Sequence, residues 1–516
     1  MKTKTLHFHR IKKGTNIRPP IIINGTPIEE VTDFKYLGIH FDRTLTWAKH
    51  VNSIEAKARR RLNLLKVLTN KKFGADARIM KNIYLAIIRP IMEYGAPVII
   101  SASQTTILKL ERVQREALRI ILGAHRTTPI SSMYWETNLE DINTCLEKRA
   151  ISYYTRTASI REHPIAQILR TPVDQARLTN HPRTKGTFSN RIKSLLEKWG
   201  LPTDPIEQRI DLRKPEWEMK NIQICQDTIH MEKLECTPIL KSIMLQHIPT
   251  HLGEIIFCDG SKSSEGTGAA FVHLKDGVSN TKKFKILGLK SSFFAEALGI
   301  AKALQYVHHN NFKRTTIFCD NKSAILALTT KNHNCNIIRN CRNIAHDIIN
   351  RGNEISICWS PGHIGIPGNE LADKAAKSAL NTGTNIETFV NRHDVKHLLK
   401  ENIKTKAQQE WNNLNLHLKK YKPKYGPLQI LDTNRNTDVL LRRLKLGHTS
   451  VTHDYLFKGP SEQAPSCDCM ANLSVRHYIY ECPNNPNALQ GKTPDPDDFI
   501  NPAHKNILID TAQLFK

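Results

Sequence analysis

Residues 254–261 read Glu254-Ile-Ile-Phe-Cys-Asp-Gly-Ser261, and the fold is decided there. An apolar, β-branched and aromatic run that stops at Asp-Gly predicts a short buried strand delivering Asp259 near its end. The same pattern recurs downstream. Gly268-Ala-Ala-Phe-Val-His273 predicts a second strand after a Gly-containing turn, and Phe293 to Val307 predicts a helix with Glu296 in its first turn. Thr315-Thr-Ile-Phe-Cys-Asp320 is another strand ending on a carboxylate, and Asn321-Lys-Ser-Ala324 starts a helix. Ile355-Ser-Ile-Cys-Trp359 is a further strand, and it runs into Ser360-Pro-Gly-His-Ile-Gly-Ile-Pro-Gly-Asn-Glu-Leu-Ala-Asp373. Strands alternating with helices predict an α/β domain over about 251–380.

Carboxylates at strand ends and at the start of a helix can converge on one edge of a sheet. Hard oxygen donors of that kind suit Mg²⁺ or Mn²⁺. Two such ions, about 4 Å apart, activate water and stabilise the leaving oxygen of a phosphodiester. Blander roles compete for each residue. Glu296 could complement a helix dipole, Asp320 could cap the following helix, and Glu370 fits a solvated face. His363 lies in a Gly/Pro-rich loop with no core role, whereas His308, His309 and His346 read as surface residues.

Asp259-Gly-Ser, Ala295-Glu296-Ala, Cys319-Asp320-Asn-Lys-Ser, Trp359-Ser-Pro-Gly-His363 and Asn369-Glu-Leu-Ala-Asp373 together resemble the ribonuclease H family in order and spacing. The resemblance implies a mixed five-stranded sheet with flanking helices. It implies Asp259, Glu296, Asp320 and Asp373 as ligands of two Mg²⁺ or Mn²⁺ ions, with His363 as a mobile-loop group assisting proton transfer or product release. The implied reaction is cleavage of the RNA strand of an RNA–DNA hybrid, leaving 3′-hydroxyl and 5′-phosphate ends. Discrimination for RNA would rest on the 2′-hydroxyl. Ser323 and Asn369 are expected hybrid contacts. No basic run is inserted between the helices, which resembles the retroelement-associated branch of the family, where other domains supply the grip.

The remainder of the chain fits that division of labour. Its 516 residues predict roughly two to four domains. Lys and Arg number 75 against 48 Asp and Glu, giving +27, and a polyanion partner follows, nucleic acid or an anionic surface. The excess is uneven: residues 1–200 carry +19, residues 201–250 carry −2, residues 251–380 carry +6 and residues 381–516 carry +4. With 40% hydrophobic residues, 25 Pro and 24 Gly, the chain is neither collagen, a coiled-coil rod nor wholly disordered. No apolar run is long enough to span a membrane, and the basic N-terminus lacks the apolar core of a secretory signal. The 11 cysteines are scattered and sit mostly in apolar runs. Reduced, buried thiols, including Cys258, Cys319 and Cys358, are therefore expected in an intracellular protein, nuclear or cytoplasmic.

Four stretches emerge: 1–130, a helical connection and linker over 131–250, the α/β domain over 251–380, and 381–516. In the first, Thr5 to His9 suggests a strand, followed by a turn and the apolar Ile21 to Asn24; Phe34 to Asp42 suggests a strand or hairpin, and Trp47 to Leu68 a basic helix with Arg59, Arg60 and Arg61. Those arginines are expected to meet phosphates. Residues 105–122 form an amphipathic helix with Leu110, Val113, Ala117 and Ile121 on one face. Lys2 to Phe8, Phe34-Lys-Tyr-Leu-Gly38, and Leu108 to Gly123 with Thr127-Thr-Pro129 resemble the end of a non-LTR retrotransposon reverse transcriptase: the strand after the polymerase site, the primer grip and the segment after the thumb. The polymerase aspartate pair is missing, since the one Asp-Asp is Asp497-Asp498 in a Pro-rich tail. A truncated element that does not polymerise DNA is the expectation.

Cys467-Asp-Cys469, His477 and Cys482 form C-x-C-x7-H-x4-C. Three thiolates and one imidazole suit tetrahedral Zn²⁺, with free thiols as the alternative. The cluster and the preceding Leu441 to Thr449 resemble the tail of many non-LTR polyproteins. The leading expectation is a hybrid-cutting ribonuclease H. The others are a catalytically silent nucleic-acid-binding remnant and an exonuclease or integrase-type relative.

Overall fold

A computed structural model of the chain describes residues 3–8, 20–70, 74–170, 186–225, 253–275, 277–288, 290–331, 333–458, 462–486, 488–489 and 491–514. They fall into two compact units, one drawn from Met1–Tyr153, Ala176–Phe188 and Glu401–Lys516, the other from Tyr154–Gln175 and Ser189–Lys400.

In the first unit, β1 (Ile22–Ile23) pairs with β2 (Thr26–Pro27), and β3 (Asp33–Tyr36) pairs antiparallel with β4 (Ile39–Asp42). The second hairpin turns through Leu37 and Gly38, both at positive φ, as a two-residue turn with matching twist requires. The expected N-terminal strand reduces to one bridge, Thr5 to Glu30, and His9 lies outside the described residues. Helix α1 (Ala48–Val67) turns Val51, Ile54, Ala58, Leu62 and Leu65 inward. They pack with Leu110, Val113, Ala117 and Ile121 of α2 (Gln104–Leu122) in one apolar cluster. The C-terminal part builds another core from Leu441, Leu444, Val475, Ile479, Tyr480, Phe499 and Leu508.

The second unit is built on a seven-stranded sheet. Its strands are β5 (Gln223–Ile224), β6 (Glu254–Lys262), β7 (Thr267–Lys275), β8 (Val278–Ile286), β9 (Arg314–Cys319), β10 (Glu354–Trp359) and β11 (Thr384–Ile386), in the order β11-β8-β7-β6-β9-β10-β5. The four strands read from the sequence, β6, β7, β9 and β10, together with β8, which was not, form the implied five-stranded centre, with β6–β7 and β7–β8 antiparallel and β6–β9 and β9–β10 parallel. A short parallel strand is added at each edge: β11 beside β8 and β5 beside β10. Side chains alternate across the sheet. Ile256, Cys258, Ile317 and Cys319 face the helices α3 (Ser292–Asn310), α4 (Lys322–Thr329) and α5 (Asn336–Asn350). Phe257, Phe318 and Cys358 face α6 (Pro367–Thr382) through Ala372, Ala375 and Ala376.

The structure corrects three sequence expectations. Cys358 is not a free thiol: it forms a disulfide with Cys225, which ties β5 to β10, while the other eight described cysteines are free. His346 is not on the surface, because its Nδ1 accepts from the Lys220 backbone N–H at 3.0 Å and the ring is buried. The end of the 131–250 stretch is more than a linker where it is described. Residues 208–225 run along α5 and end in an added strand, and residues 226–252 lie outside the described residues.

Candidate active site

Asp259 points from β6 toward the α6 face, and Asp320 follows the last residue of β9. Because Cys258 pairs with Cys319 in parallel register, the two aspartates sit side by side at the carboxyl edge of β9: Asp320 lies just past that strand, whereas Asp259 lies inside β6, which stays paired with β7 as far as Lys262 instead of stopping at Asp-Gly as expected. Open α/β sheets collect ligands at that edge. Glu296 enters from α3 on the opposite face. A Cβ on Gly260 would lie 2.3 Å from the Glu296 backbone nitrogen, so only glycine lets the strand and helix approach this closely. Asp373 arrives on α6 and accepts an ion pair from Lys377, one turn on, at 2.7 Å.

Two of the blander roles are excluded. The cap of α4 is Asn321, whose side chain accepts from the Ala324 backbone N–H at 3.0 Å, so Asp320 is not a cap. The cap of α3 is Ser291, and Glu296 stands beyond the first turn, contrary to the expectation, where the dipole has little hold on it.

Like charges crowd the group and couple its titration. Asp259 is 5% exposed and Glu296 6%. Burial, then the charges of Asp320 and Asp373, raise the Asp259 carboxyl to about 7. Burial, then the Cys319 thiol and the charges of Asp259 and Asp320, raise Glu296 to about 11. Lys377 is raised by its bond to Asp373 and by the charge of Asp259. Donor atoms of Glu296, Cys319 and Asp320 lie within 4.8 Å of one another. Cys319, 3.9 Å from Glu296, and Lys377 are members that the sequence reasoning missed. The i,i+4 spacing from Asp373 was the available signal for Lys377.

Asp320 is held through its backbone, since the Trp359 indole N–H donates to its carbonyl at 2.9 Å. The Lys322 ammonium lies 4.0 Å above the same indole ring. The loop after β10 comes against the site: a Cβ on Gly362 would fall 2.8 Å from Asp320 Oδ2. His363 follows, exposed and in the left-handed region at φ 62°. Of the expected hybrid contacts, Ser323 is exposed in the first turn of α4. Asn369 is 3% exposed, with its Oδ1 buried and unpartnered among the described residues.

In the other unit, Arg59 pairs with Glu55 and Glu116, Arg60 donates to the Ala56 carbonyl, and Arg61 is exposed. The donor atoms of Cys467, Cys469, His477 and Cys482 come together within 4.8 Å. Cys467 Sγ is 3.5 Å from Cys482 Sγ, and Cys469 Sγ is 3.1 Å from His477 Nε2. The Cys469 backbone N–H, with smaller help from the neighbouring side chains, lowers the Cys467 thiol to about 7.

The RNase H family model matches residues 251–381. The chain is 24% identical over 200 residues to the RNA-directed DNA polymerase from mobile element jockey of Drosophila funebris, covering 38% of this chain and 19% of that protein. It is 23% identical over 153 residues to the probable RNA-directed DNA polymerase from transposon BS of Drosophila melanogaster, covering 30% and 17%. The jockey polymerase of Drosophila melanogaster is 31% identical over 106 residues, covering 20% and 12%. The chain thus spans less than a fifth of the length of these relatives. Among solved structures, RNase H1 from the halophilic archaeon Halobacterium salinarum NRC-1 matches at 20% identity and a TM-score of 0.21, covering 25% of this chain and 97% of that one.

Proposed function

We propose that this chain, which carries a ribonuclease H domain over residues 251–381 and is similar to retrotransposon RNA-directed DNA polymerases, hydrolyses the RNA strand of RNA–DNA hybrids with two Mg²⁺ or Mn²⁺ ions. One observation carries the reading: Asp259, Glu296, Asp320 and Asp373 come from four separate elements and meet where β9 ends beside Asp259 of β6. The donor set fits the ions. It is rich in hard oxygens, and crowding raises Asp259 and Glu296 until added positive charge is needed to ionise them together. When bound, the ions supply water activation and stabilise charge on the leaving oxygen.

The chain's own residues do the rest. Asp259, Asp320 and Asp373 hold the charge on the sheet edge, and Glu296 closes it from the α3 side. His363, exposed on the loop beside Asp320, moves the proton: water oxygen adds to phosphorus, the bond to the 3′-oxygen breaks, and that oxygen leaves protonated. The products are 3′-hydroxyl and 5′-phosphate ends. In the tail, Cys467, Cys469, His477 and Cys482 fit one Zn²⁺ by donor type and spacing.

Labelled hybrid incubated with Mg²⁺ tests the reading on wild type and Asp259→Asn. Wild type cuts the RNA strand, and the variant loses at least about 100-fold, as expected when a group acting on transition-state charge is removed. Equal cleavage by both proteins sinks the assignment. Salt-sensitive binding without any cleavage makes the chain a silent binding remnant.

A further inference from the structure

Residues 208–222 lie along α5, and α5 is built to hold them. Asn336 Oδ1 accepts from the Ile210 backbone N–H at 2.9 Å, and its Nδ2 donates to the Gln208 carbonyl at 2.6 Å. Arg339 donates to the Ile210 carbonyl. Asn343 repeats the two-way pairing with Arg213 N–H and the Asp211 carbonyl, both at 2.9 Å. Arg342 grips Glu216 with two bonds, at 2.8 and 2.6 Å, and His346 accepts from Lys220 N–H. The segment is therefore a fixed platform.

At its crest stands Trp217, 84% exposed, between anchored Glu216 and buried Met219. A Trp so exposed in a pinned turn leaves a large apolar face in water without packing gain. Two adjoining hollows, of about 610 and 450 Å³, share Glu216, Trp217 and Lys331 as walls. Lys214, Lys220 and Lys331 line them, exposed and without an ion pair among the described residues. Of the acidic side chains there, Glu216 is taken by Arg342, while Asp211 remains exposed. The surface is thus an exposed indole on a pinned turn, flanked by unspent cations and by the exposed carboxylates of Asp211 and Glu218.

We propose that this groove binds an unpaired stretch of nucleic acid, with Trp217 stacked on a base and Lys214, Lys220 and Lys331 on its phosphates. An indole stacks on a base only where that base is out of a duplex, so charge and aromatic face together select single strand over hybrid. The proposal rests on the reading that this unit handles nucleic acid, and it extends it: single strand running from a hybrid is held away from the carboxylates.

The test uses the full chain, without divalent metal, and fluorescence anisotropy of a labelled single-stranded oligothymidylate. Trp217→Ala weakens binding about tenfold, the size expected for one base stack, and Trp217→Phe restores most of it. Lys214→Glu with Lys331→Glu weakens binding and flattens its salt dependence. Matching melting temperatures exclude misfolding of the variants. Trp217→Ala binding within twofold of wild type, or wild type that does not bind single strand, overturns the proposal. The measurement does not involve cleavage, so Trp217-dependent binding by a chain that fails to cut hybrid keeps the groove and removes only the nuclease reading.

Discussion

Asp259 and Glu296 hold protons that ordinary carboxylates would have lost. The unfolded Asp259 carboxyl ionises near its ordinary value of about 4, and the folded one near 7, because burial and two neighbouring aspartates oppose its charge. Between those values the folded chain binds more protons than the unfolded one, so stability falls as pH rises through the window and levels off above it. Glu296 acts with the same sign, and its window extends up to about 11. Metal-free protein, melted in chelator from acid to neutral pH, is expected to lose melting temperature across that window relative to Asp259→Asn, whose side chain cannot ionise. A flat difference between the two proteins would contradict the burial. The four carboxylates were legible in the sequence by their order and spacing, although Asp259 proves to lie inside β6 rather than at its end. Their individual roles were not: only the structure shows Asn321 taking the cap that Asp320 might have filled, and Ser291 starting α3 early enough to put Glu296 past its first turn. Cys319 was invisible as a site member because its approach to Glu296 arises from tertiary packing across two elements.

Among the elements, periodicity recovered what burial dictates. The continuous apolar runs of β6 and β9 follow from burial on both faces of the sheet, and the inward stripe of α1 follows from one apolar face. Helix α5 shows what periodicity misses. Its Asn336, Arg339, Asn343 and His346 look like a solvated face, yet they satisfy the backbone of residues 208–220, and only a chain segment laid over them reveals it. The strands β5 and β11, two and three residues long, carry too little pattern to be recognised. The Cys/His tail was legible as a ligand set, and its packing sharpens what metal would do. The turn His477–Glu481 starts on the His477 of that cluster and sends Ile479 and Tyr480 into the C-terminal core, where Tyr480 donates to Asp498 at 2.5 Å. An isolated zinc finger unfolds without metal; this cluster has a core to lean on. Purified protein is expected to hold one Zn²⁺ in the tail by elemental analysis, and a strong chelator should speed amide exchange over residues 466–482 while helix Arg435–Leu446 stays protected. Absence of zinc, or unchanged exchange, would leave the cluster as free thiols.

For the whole molecule, charge and chemistry are separated along the chain. Residues 1–200 carry +19, whereas the carboxylates lie in a stretch of +6. Counting charges overstates the grip, because part of the basic helix is already spent: Arg59 faces Glu55 and Glu116, and Lys66 shares Glu116. Arg60 keeps its charge while bonding a carbonyl, and Arg61 is exposed on the same helix. Phosphate contacts release counterions, and each contributes about −0.9 to the slope of log affinity against log salt on duplex. If Arg60 and Arg61 each meet one phosphate, replacing both by Ala lowers hybrid affinity and makes that slope shallower by about two. Replacing Arg59 moves it less, since its charge is balanced in the free protein by two carboxylates. Anisotropy titrations of labelled hybrid over a range of salt concentrations, in the Asp259→Asn background and without metal, measure all three slopes. A shift for Arg59 equal to half that of the Arg60 and Arg61 pair would mean that the ion pairs on α1 open on binding. No shift for Arg60 and Arg61 together would place the grip elsewhere in the basic stretch.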